Sequence, residues 1–198
     1  MAVNPDFWAE LALLAVGVCW LAFGAILVIG KRQAVGTEKK RDLKSHAGFA
    51  MQGLAYALCF ALPRPYLSPF LPVSKPGEII LTAMTIAIAS VSVLFCYSAA
   101  RTLGKQWALV ARVIEGHDLI TSGPYAVVRN PIYLAMLGML LATGLASTRW
   151  QVLLGALVIF QIGTAIRIRS EERILREAFG IKFDEYARRV PAFLPRIV

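Results

Sequence analysis

The sequence is short of charge, and of acidic charge in particular. Of its 198 residues, 17% are charged and 58% are hydrophobic, and 21 Lys and Arg stand against 12 Asp and Glu. Soluble domains carry about 25% charged and about 45–50% apolar residues. The lower charge and higher apolar content of this chain exclude a disordered chain and argue against a water-soluble globule. The basic excess does not indicate nucleic acid, because the charges lie between long uncharged runs, as in membrane loops. We predict a single membrane domain, 1–198, that binds no nucleic acid.

The sequence lacks the spacing of cysteine and histidine residues that a metal site or a disulfide needs. The cysteines Cys19, Cys59 and Cys96 each lie in an apolar run without paired spacing, so we interpret them as packing residues. The histidines His46 and His117 are far apart and flank no cysteine. The sequence therefore predicts no metal site.

Five runs without Lys, Arg, Asp or Glu are candidate membrane crossings. A transmembrane helix needs about 20 mostly apolar residues, and about 17 can suffice. Helices are the default in hydrocarbon because they satisfy their own backbone hydrogen bonds. The predicted fold is all-α, with about five transmembrane helices, three of them in 1–100 and a helix 4–5 hairpin within 101–198. The runs are 11–30, 47–62, 79–100, 131–148 and 151–166.

The Lys and Arg residues between these runs predict an orientation. Eighteen lie in 31–46, 101–130 and the tail from 167, whereas three lie in the alternate connections. The positive-inside rule then places the N-terminus outside and the C-terminus in the cytoplasm. The compact chain and the absence of sorting signals favour a prokaryotic plasma membrane, and acidic residues before the first run argue against a signal peptide. The lipid bilayer is thus the first expected partner.

One predicted cytoplasmic segment, 115–133, combines a turn with a helix start. Thr121-Ser122-Gly123-Pro124 is a turn sequence. Asn130 before Pro131 is typical of an N-cap followed by proline in the first helical turn. Free backbone N–H groups there would favour an anion. Taken alone, the pattern favours a capped helix with a structural turn, and the anion site stays open as the alternative.

A second predicted cytoplasmic segment places a carboxylate on an apolar stripe. At 100° per residue, Glu172 lies within about 40° of Ile168, Leu175 and Phe179, and Glu171 lies on the flank. Two interpretations remain: a pair with Arg176 one turn further on, or a carboxylate turned into the bundle to meet a ligand.

Small residues in the fourth and fifth runs stand at helix-packing spacings. Close backbone approach is the usual reason for such spacings in membranes. We predict that these residues pack the two helices into a tight hairpin. They are Gly138, Ala142, Gly144, Gly155, Ala156 and Gly163.

Both polar segments, taken in order, resemble the isoprenylcysteine carboxyl methyltransferase family over about 101–198. The first carries Leu-Ile-Thr-Ser-Gly-Pro-Tyr at 119–125 and Arg-Asn-Pro-Ile-Tyr at 129–133. The second carries Arg-Ser-Glu-Glu at 169–172, then Leu175, Phe179-Gly180, Tyr186 and Pro-Ala-Phe-Leu-Pro at 191–195. The chain has Asn130 where the family usually has His, and Ala135 where it often has Gly.

The resemblance implies methyl transfer from S-adenosylmethionine, with S-adenosylhomocysteine as product. The cofactor would lie between the helix 4–5 hairpin and the folded tail, and a lipophilic small-molecule, lipid or prenylated acceptor would reach it from the membrane. The resemblance implies Arg129, Glu172 and Arg169 as catalytic residues. It implies these cofactor-binding residues: Leu119, Ile120, Gly123, Pro124, Tyr125, Asn130, Tyr133, Glu171 and Glu172.

The expected reaction is carboxyl O-methylation of an isoprenylcysteine-like or other lipophilic acceptor. A carboxylate needs no general base, which suits Asn130, because an amide cannot take up a proton near neutral pH as a histidine can. Arg129 would hold the acceptor carboxylate in a bidentate pair. The alternatives are phospholipid amine N-methylation, which would need Glu171 or Glu172 as base, a nicotinamide-dependent reductase, and a non-catalytic membrane scaffold.

Overall fold

The chain folds into a bundle of helices. The structure, a computed structural model, describes residues 7–33, 43–64, 70, 74–104 and 119–194. These ranges contain helices and connections but no β-strand, apart from an isolated bridge between Pro63 and Thr148. The helices are α1 (Phe7–Gln33), α2 (Leu43–Ala61), α3 (Lys75–Leu103), a short 3-10 helix (Gly123–Ala126), α4 (Pro131–Ser147), α5 (Trp150–Phe179) and α6 (Ile181–Arg189).

All five uncharged runs form helices, which confirms the predicted all-α membrane class. Within the described ranges, three helices are long and apolar enough to cross a membrane: Phe7–Gly30 of α1, α3 and α5. The apolar helix α4 is shorter, with 17 residues, and α2 has 19. Large apolar side chains point outward, among them Leu14, Leu21 and Leu94, which are 69%, 76% and 66% exposed. Such a surface fits lipid rather than water. The full five crossings stay a prediction.

Successive helices of the bundle run in opposite directions. The Thr82 hydroxyl, near the start of α3, donates to the carbonyl of Trp8 near the start of α1 (3.2 Å). The Thr148 hydroxyl, just after α4, donates to the carbonyl of Leu62 just after α2 (2.6 Å). The starts of α2 and α4 therefore lie at one end of the bundle. The C-terminal part of α5 lies at the same end, because Glu171 accepts a hydrogen bond from Tyr133 near the start of α4. We call this end the site face.

The small residues pack against other neighbours than the sequence suggested. Helix α2 packs mainly against α5, and α3 packs against α4 and α1. A Cβ on Gly163 would lie 2.7 Å from the Gly48 carbonyl oxygen of α2. A Cβ on Gly138 would collide with Ser92 of α3. The prediction that these two glycines join α4 to α5 is wrong, because spacing shows which residues share a helix face but not which helix covers it.

Of the remaining glycines in the two helices, one packs within the hairpin and one has no close neighbour. A Cβ on Gly144 would collide with Leu153 of α5, so this residue does serve the predicted hairpin. A Cβ on Gly155 would meet nothing within 4 Å. The hairpin is thus held closely at the turn between α4 and α5, while further along each helix packs against a different partner.

The cysteines are packing residues, as predicted. Cys96 belongs to the apolar core formed by α1, α3 and α4, and Cys19 packs against it. Cys59 lies in a second apolar core, shared by α2, α4 and α5. All three are free thiols.

The C-terminal tail folds back toward the start of α4. Gly180, in the left-handed region with φ of 52°, ends α5 and allows the chain to reverse into α6. Helix α6 buries Phe183 and Tyr186. The Tyr186 hydroxyl donates to the carbonyl of Tyr125 (2.6 Å). This contact confirms that the tail folds over the polar connection before α4.

Candidate active site

Two adjacent carboxylates lie at the centre of the site face. Glu171 and Glu172 are on α5, which runs without a break past the predicted end of the fifth crossing at 166. Their side chains are 19% and 15% exposed. Because neighbouring residues on a helix point about 100° apart, the two carboxylates meet different parts of the molecule.

Glu172 pairs with an arginine from the connection before α4. Arg129 donates from Nε to Oε1 of Glu172 (2.8 Å), and its Nη2 lies 2.7 Å from the same oxygen. The alternative pairing of Glu172 with Arg176 is not formed, since Arg176 pairs with Asp184 across the turn into α6 (2.7 Å). The carboxylate on the apolar stripe is thus turned toward the connection before α4, and its predicted contact with a ligand stays a prediction.

Arg129 also holds the C-terminal tail. Its Nη1 donates to the carbonyl of Ala187 (2.8 Å) and to that of Val190. Its backbone N–H donates to the carbonyl of Pro191 (2.9 Å). A guanidinium has five N–H groups, and four of them are engaged in these contacts. The arrangement gives Arg129 a positioning role, and its predicted role of binding an acceptor carboxylate stays a prediction.

Asn130 occupies the predicted place but makes a different bond. It precedes Pro131, the first residue of α4, at the N-cap position. Its side chain makes no capping bond within the described ranges, and instead Nδ2 donates to the carbonyl of Ala192 (2.7 Å). Two consecutive residues, Arg129 and Asn130, therefore both donate hydrogen bonds to carbonyls of the tail.

Glu171 meets a tyrosine and a second arginine. The buried Tyr133 donates its hydroxyl to Oε1 of Glu171. Nη2 of Arg167 lies 3.5 Å from the same oxygen, one helical turn earlier on α5. The Arg167 guanidinium also lies over the Tyr133 ring, 4.8 Å from its centre, in cation–π geometry.

Three residues of this region were not identified from the sequence: Arg167, Gln52 and Thr164. Nη1 of Arg167 donates to Oε1 of Gln52 on α2 (3.0 Å), and Nε2 of Gln52 donates to the Thr164 hydroxyl on α5 (2.8 Å). All three side chains are buried. The available signal was a polar amide within the otherwise apolar run 47–62, because polar groups at membrane depth are functional candidates.

The turn before α4 is fixed between α3 and α6. Gly123 has a φ of 58°, and a Cβ there would lie 2.9 Å from the Thr102 hydroxyl oxygen of α3. Pro124 and Tyr125 are buried, and Leu119 and Ile120 are half-buried. The predicted turn is confirmed, while the cofactor contacts of these residues stay a prediction.

The contact between α6 and this turn depends on a neutral hydroxyl on Tyr186, which donates to a backbone carbonyl. Burial raises the pKa of Tyr186 to about 12. Burial also raises the pKa of Tyr125 well above its ordinary value. Both phenols therefore stay protonated near neutral pH, and Tyr186 can donate to the Tyr125 carbonyl.

Arg169, the third predicted catalytic residue, is exposed on α5 and is not among the contacts described above. Its role stays a prediction. An open groove of about 640 Å³ lies between the connection before α4, the end of α5 and α6. It shares Arg129 with the site. The groove is lined by Arg129, Arg176, Ile181, Asp184, Ala187 and Arg188. Within the described ranges, no group of three or more His, Cys, Asp or Glu could hold a metal ion.

Fold and site together define a helical membrane protein with a polar site at one end of its bundle. The model of the phospholipid methyltransferase family matches residues 78–182, more than half of the chain. The protein belongs to this family. The matched region begins in α3 and ends just inside α6, so it contains Arg129, Tyr133, Glu171 and Glu172.

Curated relatives are similar to somewhat shorter stretches of the chain. The cobalt-zinc-cadmium resistance protein CzcN of Cupriavidus metallidurans is 38% identical over 97 residues, 48% of this chain and 44% of the relative. The nickel-cobalt-cadmium resistance protein NccN of Alcaligenes xylosoxydans xylosoxydans is 36% identical over 100 residues, 48% of this chain and 45% of the relative.

A third relative carries the activity that the sequence motifs suggested. Protein-S-isoprenylcysteine O-methyltransferase B of Arabidopsis thaliana is 33% identical over 81 residues, 41% of either protein. Together with the family match, this relative confirms the resemblance to the isoprenylcysteine carboxyl methyltransferases. The chain spans less than half the length of each of these relatives.

Proposed function

We propose that the protein is a membrane methyltransferase that takes its methyl group from S-adenosylmethionine, bound beside Glu171 and Glu172 on the site face. The observation that carries the proposal is the pair of adjacent, partly buried carboxylates, each held by an arginine at one end of a membrane bundle. Partly buried carboxylates with specific charge partners are candidates for a functional site. The family match supplies the reaction class.

The residues present fit this methyl donor. S-adenosylmethionine carries a sulfonium and an ammonium group, and charge-assisted contacts with carboxylates bind cations strongly. Arg129 reaches Glu172 at Oε1, and Tyr133 and Arg167 reach Glu171 at Oε1. Because a carboxylate has about four acceptor positions, both residues can accept further bonds from a ligand.

Each side chain then has a distinct task. Glu171, Glu172 and Tyr133 would hold the donor, which supplies an electrophilic methyl group when bound. Arg129 fixes the orientation of Glu172 and closes the tail over this end of the bundle. A closed tail excludes water, and fixed orientation is the larger contribution, since positioning can supply about 7–11 kcal/mol of a barrier.

A carboxylate acceptor suits this site best. It is already a nucleophile, so the reaction needs no base, and Asn130 can supply none. The Asn130 amide is instead occupied in holding the tail. These observations support O-methylation of a lipophilic carboxylic acid, with a prenylated cysteine as the expected type, at the cytoplasmic face of a prokaryotic plasma membrane.

A phospholipid amine is the second candidate acceptor, favoured by the name of the matched family. An ammonium headgroup must lose a proton before it can accept a methyl group, so a base is required. Glu171 and Glu172 are the carboxylates at the site, and one of them would have to take this proton while the other binds the donor.

Calorimetry on detergent-purified protein tests the shared part of both candidates. We expect S-adenosylmethionine and S-adenosylhomocysteine to bind, and Glu172→Gln to weaken binding by roughly tenfold or more, because a charge-assisted contact is lost. Glu177→Gln, an exposed carboxylate on the same helix, is the matched control and should bind as the wild type. Wild-type protein that binds neither ligand would contradict the proposal.

The acceptor is then identified by transfer of a labelled methyl group. A prenylated cysteine analogue and phosphatidylethanolamine are offered separately in the same detergent. Labelling of the first supports O-methylation, whereas labelling of the second alone would replace it with N-methylation.

A further inference from the structure

Helix α2 reaches the candidate site although it lies outside the matched family region. The family match begins at residue 78, whereas α2 ends at Ala61. Its contribution is Gln52, which is buried and joins two positions on α5. Burying a polar group is unfavourable unless it is hydrogen-bonded, and Gln52 meets this requirement through residues of α5 alone.

The backbones of α2 and α5 approach closely just beside this amide. A Cβ on Gly48 would lie 2.6 Å from the Gly163 carbonyl oxygen, and a Cβ on Gly163 would lie 2.7 Å from that of Gly48. Neither glycine can therefore carry a side chain without separating the helices. The contact fixes the distance over which Gln52 reaches Arg167, one turn further along α5.

Gln52 uses both ends of its amide. Nε2 donates to the Thr164 hydroxyl (2.8 Å), and Oε1 accepts from Nη1 of Arg167 (3.0 Å). Because the amide is bonded at both ends, it cannot rotate without losing one of these bonds. It therefore presents its oxygen to Arg167 in one orientation.

The fixed amide of Gln52 orients the Arg167 guanidinium, which in turn contacts the Glu171 carboxylate. A guanidinium is planar and its N–H groups form a rigid fork, so fixing Nη1 against Gln52 also fixes the direction of Nη2. Nη2 lies 3.5 Å from Oε1 of Glu171, the oxygen that also accepts from Tyr133. Contact of the guanidinium with the Tyr133 ring, 4.8 Å from the ring centre, restricts it further.

We propose that Gln52 and Arg167 are positioning residues that hold the Glu171 carboxylate in place for the methyl donor, which makes α2 part of the site. This inference rests on the proposed function and extends it to a helix that the family match does not reach. Neither residue needs to touch the donor, because both act through Glu171.

Replacing the amide with a side chain of similar shape tests the inference. Gln52→Met removes both hydrogen bonds and leaves Glu171, Tyr133 and Arg167 in the chain. We expect the dissociation constant for S-adenosylmethionine, measured by calorimetry, to rise about tenfold. This is about the change in affinity that the loss of one good hydrogen bond causes. The donor KM should rise in parallel, while the acceptor KM stays the same.

The chain offers a matched control. Gln161→Met makes the same chemical change at an exposed position of α5, two residues before Gly163. Donor binding of this variant should equal that of the wild type. Melting temperatures of both variants, recorded with and without donor, separate a loss of folding from a loss of positioning.

A second variant covers the case in which Gln52→Met does not fold. Gln52→Glu keeps the shape, and its carboxylate draws Arg167 away from Glu171 by a stronger ion pair. Donor affinity should again fall about tenfold. If either variant folds and binds the donor as tightly as the wild type, or loses only melting temperature, the positioning role is overturned. If the wild type itself binds no donor, the proposed function fails instead.

Discussion

The two ion pairs on the site face are alike in composition and differ in what they connect. Arg129–Glu172 and Arg167–Glu171 use adjacent carboxylates with similar exposure. In the first pair the arginine comes from the connection before α4 and continues to the tail. In the second the arginine lies on α5 itself and continues to α2.

The difference shows how one short motif joins separate parts of the bundle. Glu172 is linked through Arg129 to the C-terminal tail, and Glu171 is linked through Arg167 to the packed interior of the bundle. A change at one pair should therefore leave the other pair in place, because the two pairs depend on different arginines. Changes to each side should be visible in different measurements.

The largest effect is expected from Arg167→Met. The substitution leaves Glu171 partly buried without its cation, and breaking such a pair from one side destabilises proteins by about 3–5 kcal/mol. The free energy of unfolding, measured by denaturant titration in mixed micelles, should fall by this amount. Arg169→Met, an exposed arginine two residues further on, should change it by less than about 0.5 kcal/mol. Equal losses in both variants would show that the pairing with Glu171 is not the cause.

A smaller and more local effect is expected from Arg129→Met. It removes the bonds to the carbonyls of Ala187 and Val190 together with the pair to Glu172. Amide hydrogen exchange in α6 should quicken by an amount equivalent to about 2–3 kcal/mol, while exchange in α2 and the middle of α5 stays unchanged. The exposed Arg188→Met serves as the control. Uniform acceleration along the whole chain would contradict the separation of the two pairs.

Gly163→Ala should have the smallest effect of the three. The added methyl would press on the Gly48 carbonyl, and overpacking of this kind lowers stability by about 1–3 kcal/mol. Gly155→Ala, on the same helix with no atom within 4 Å of the new Cβ, should be neutral or stabilising by up to about 1 kcal/mol. Thermal unfolding of both variants in one detergent makes the comparison, and a Gly163→Ala protein as stable as Gly155→Ala would refute the close contact.

Local features of the sequence predicted much of the fold and the first ion pair. The uncharged runs correctly predicted the helices α1 to α5, and Pro131 correctly predicted the start of α4. The apolar stripe around Glu172 correctly indicated that this carboxylate turns inward. Its partner Arg129 lies 43 positions earlier. The resemblance named Arg129 as a site residue, but the pairing with Glu172 was not predicted.

The second ion pair could not be predicted in the same way. Gln52 and Arg167 are 115 positions apart and meet only because α2 packs on α5. Helical spacing identifies the residues on one face but carries no information on which neighbouring helix faces them. Gly163 illustrates the same point, since its spacing indicated close packing while its partner proved to be α2 instead of α4.

The unbroken length of α5 has a consequence for how a lipid substrate would be handled. Thirty residues extend roughly 45 Å at 1.5 Å per residue, which exceeds the hydrocarbon thickness of about 30 Å. Counted from Trp150, Glu171 lies about 32 Å along the axis, so with Trp150 at one edge of the hydrocarbon layer it would reach the opposite edge. A substrate with a long chain could present its polar end there while its tail remained dissolved among the acyl chains. The protein would not need to extract it from the bilayer.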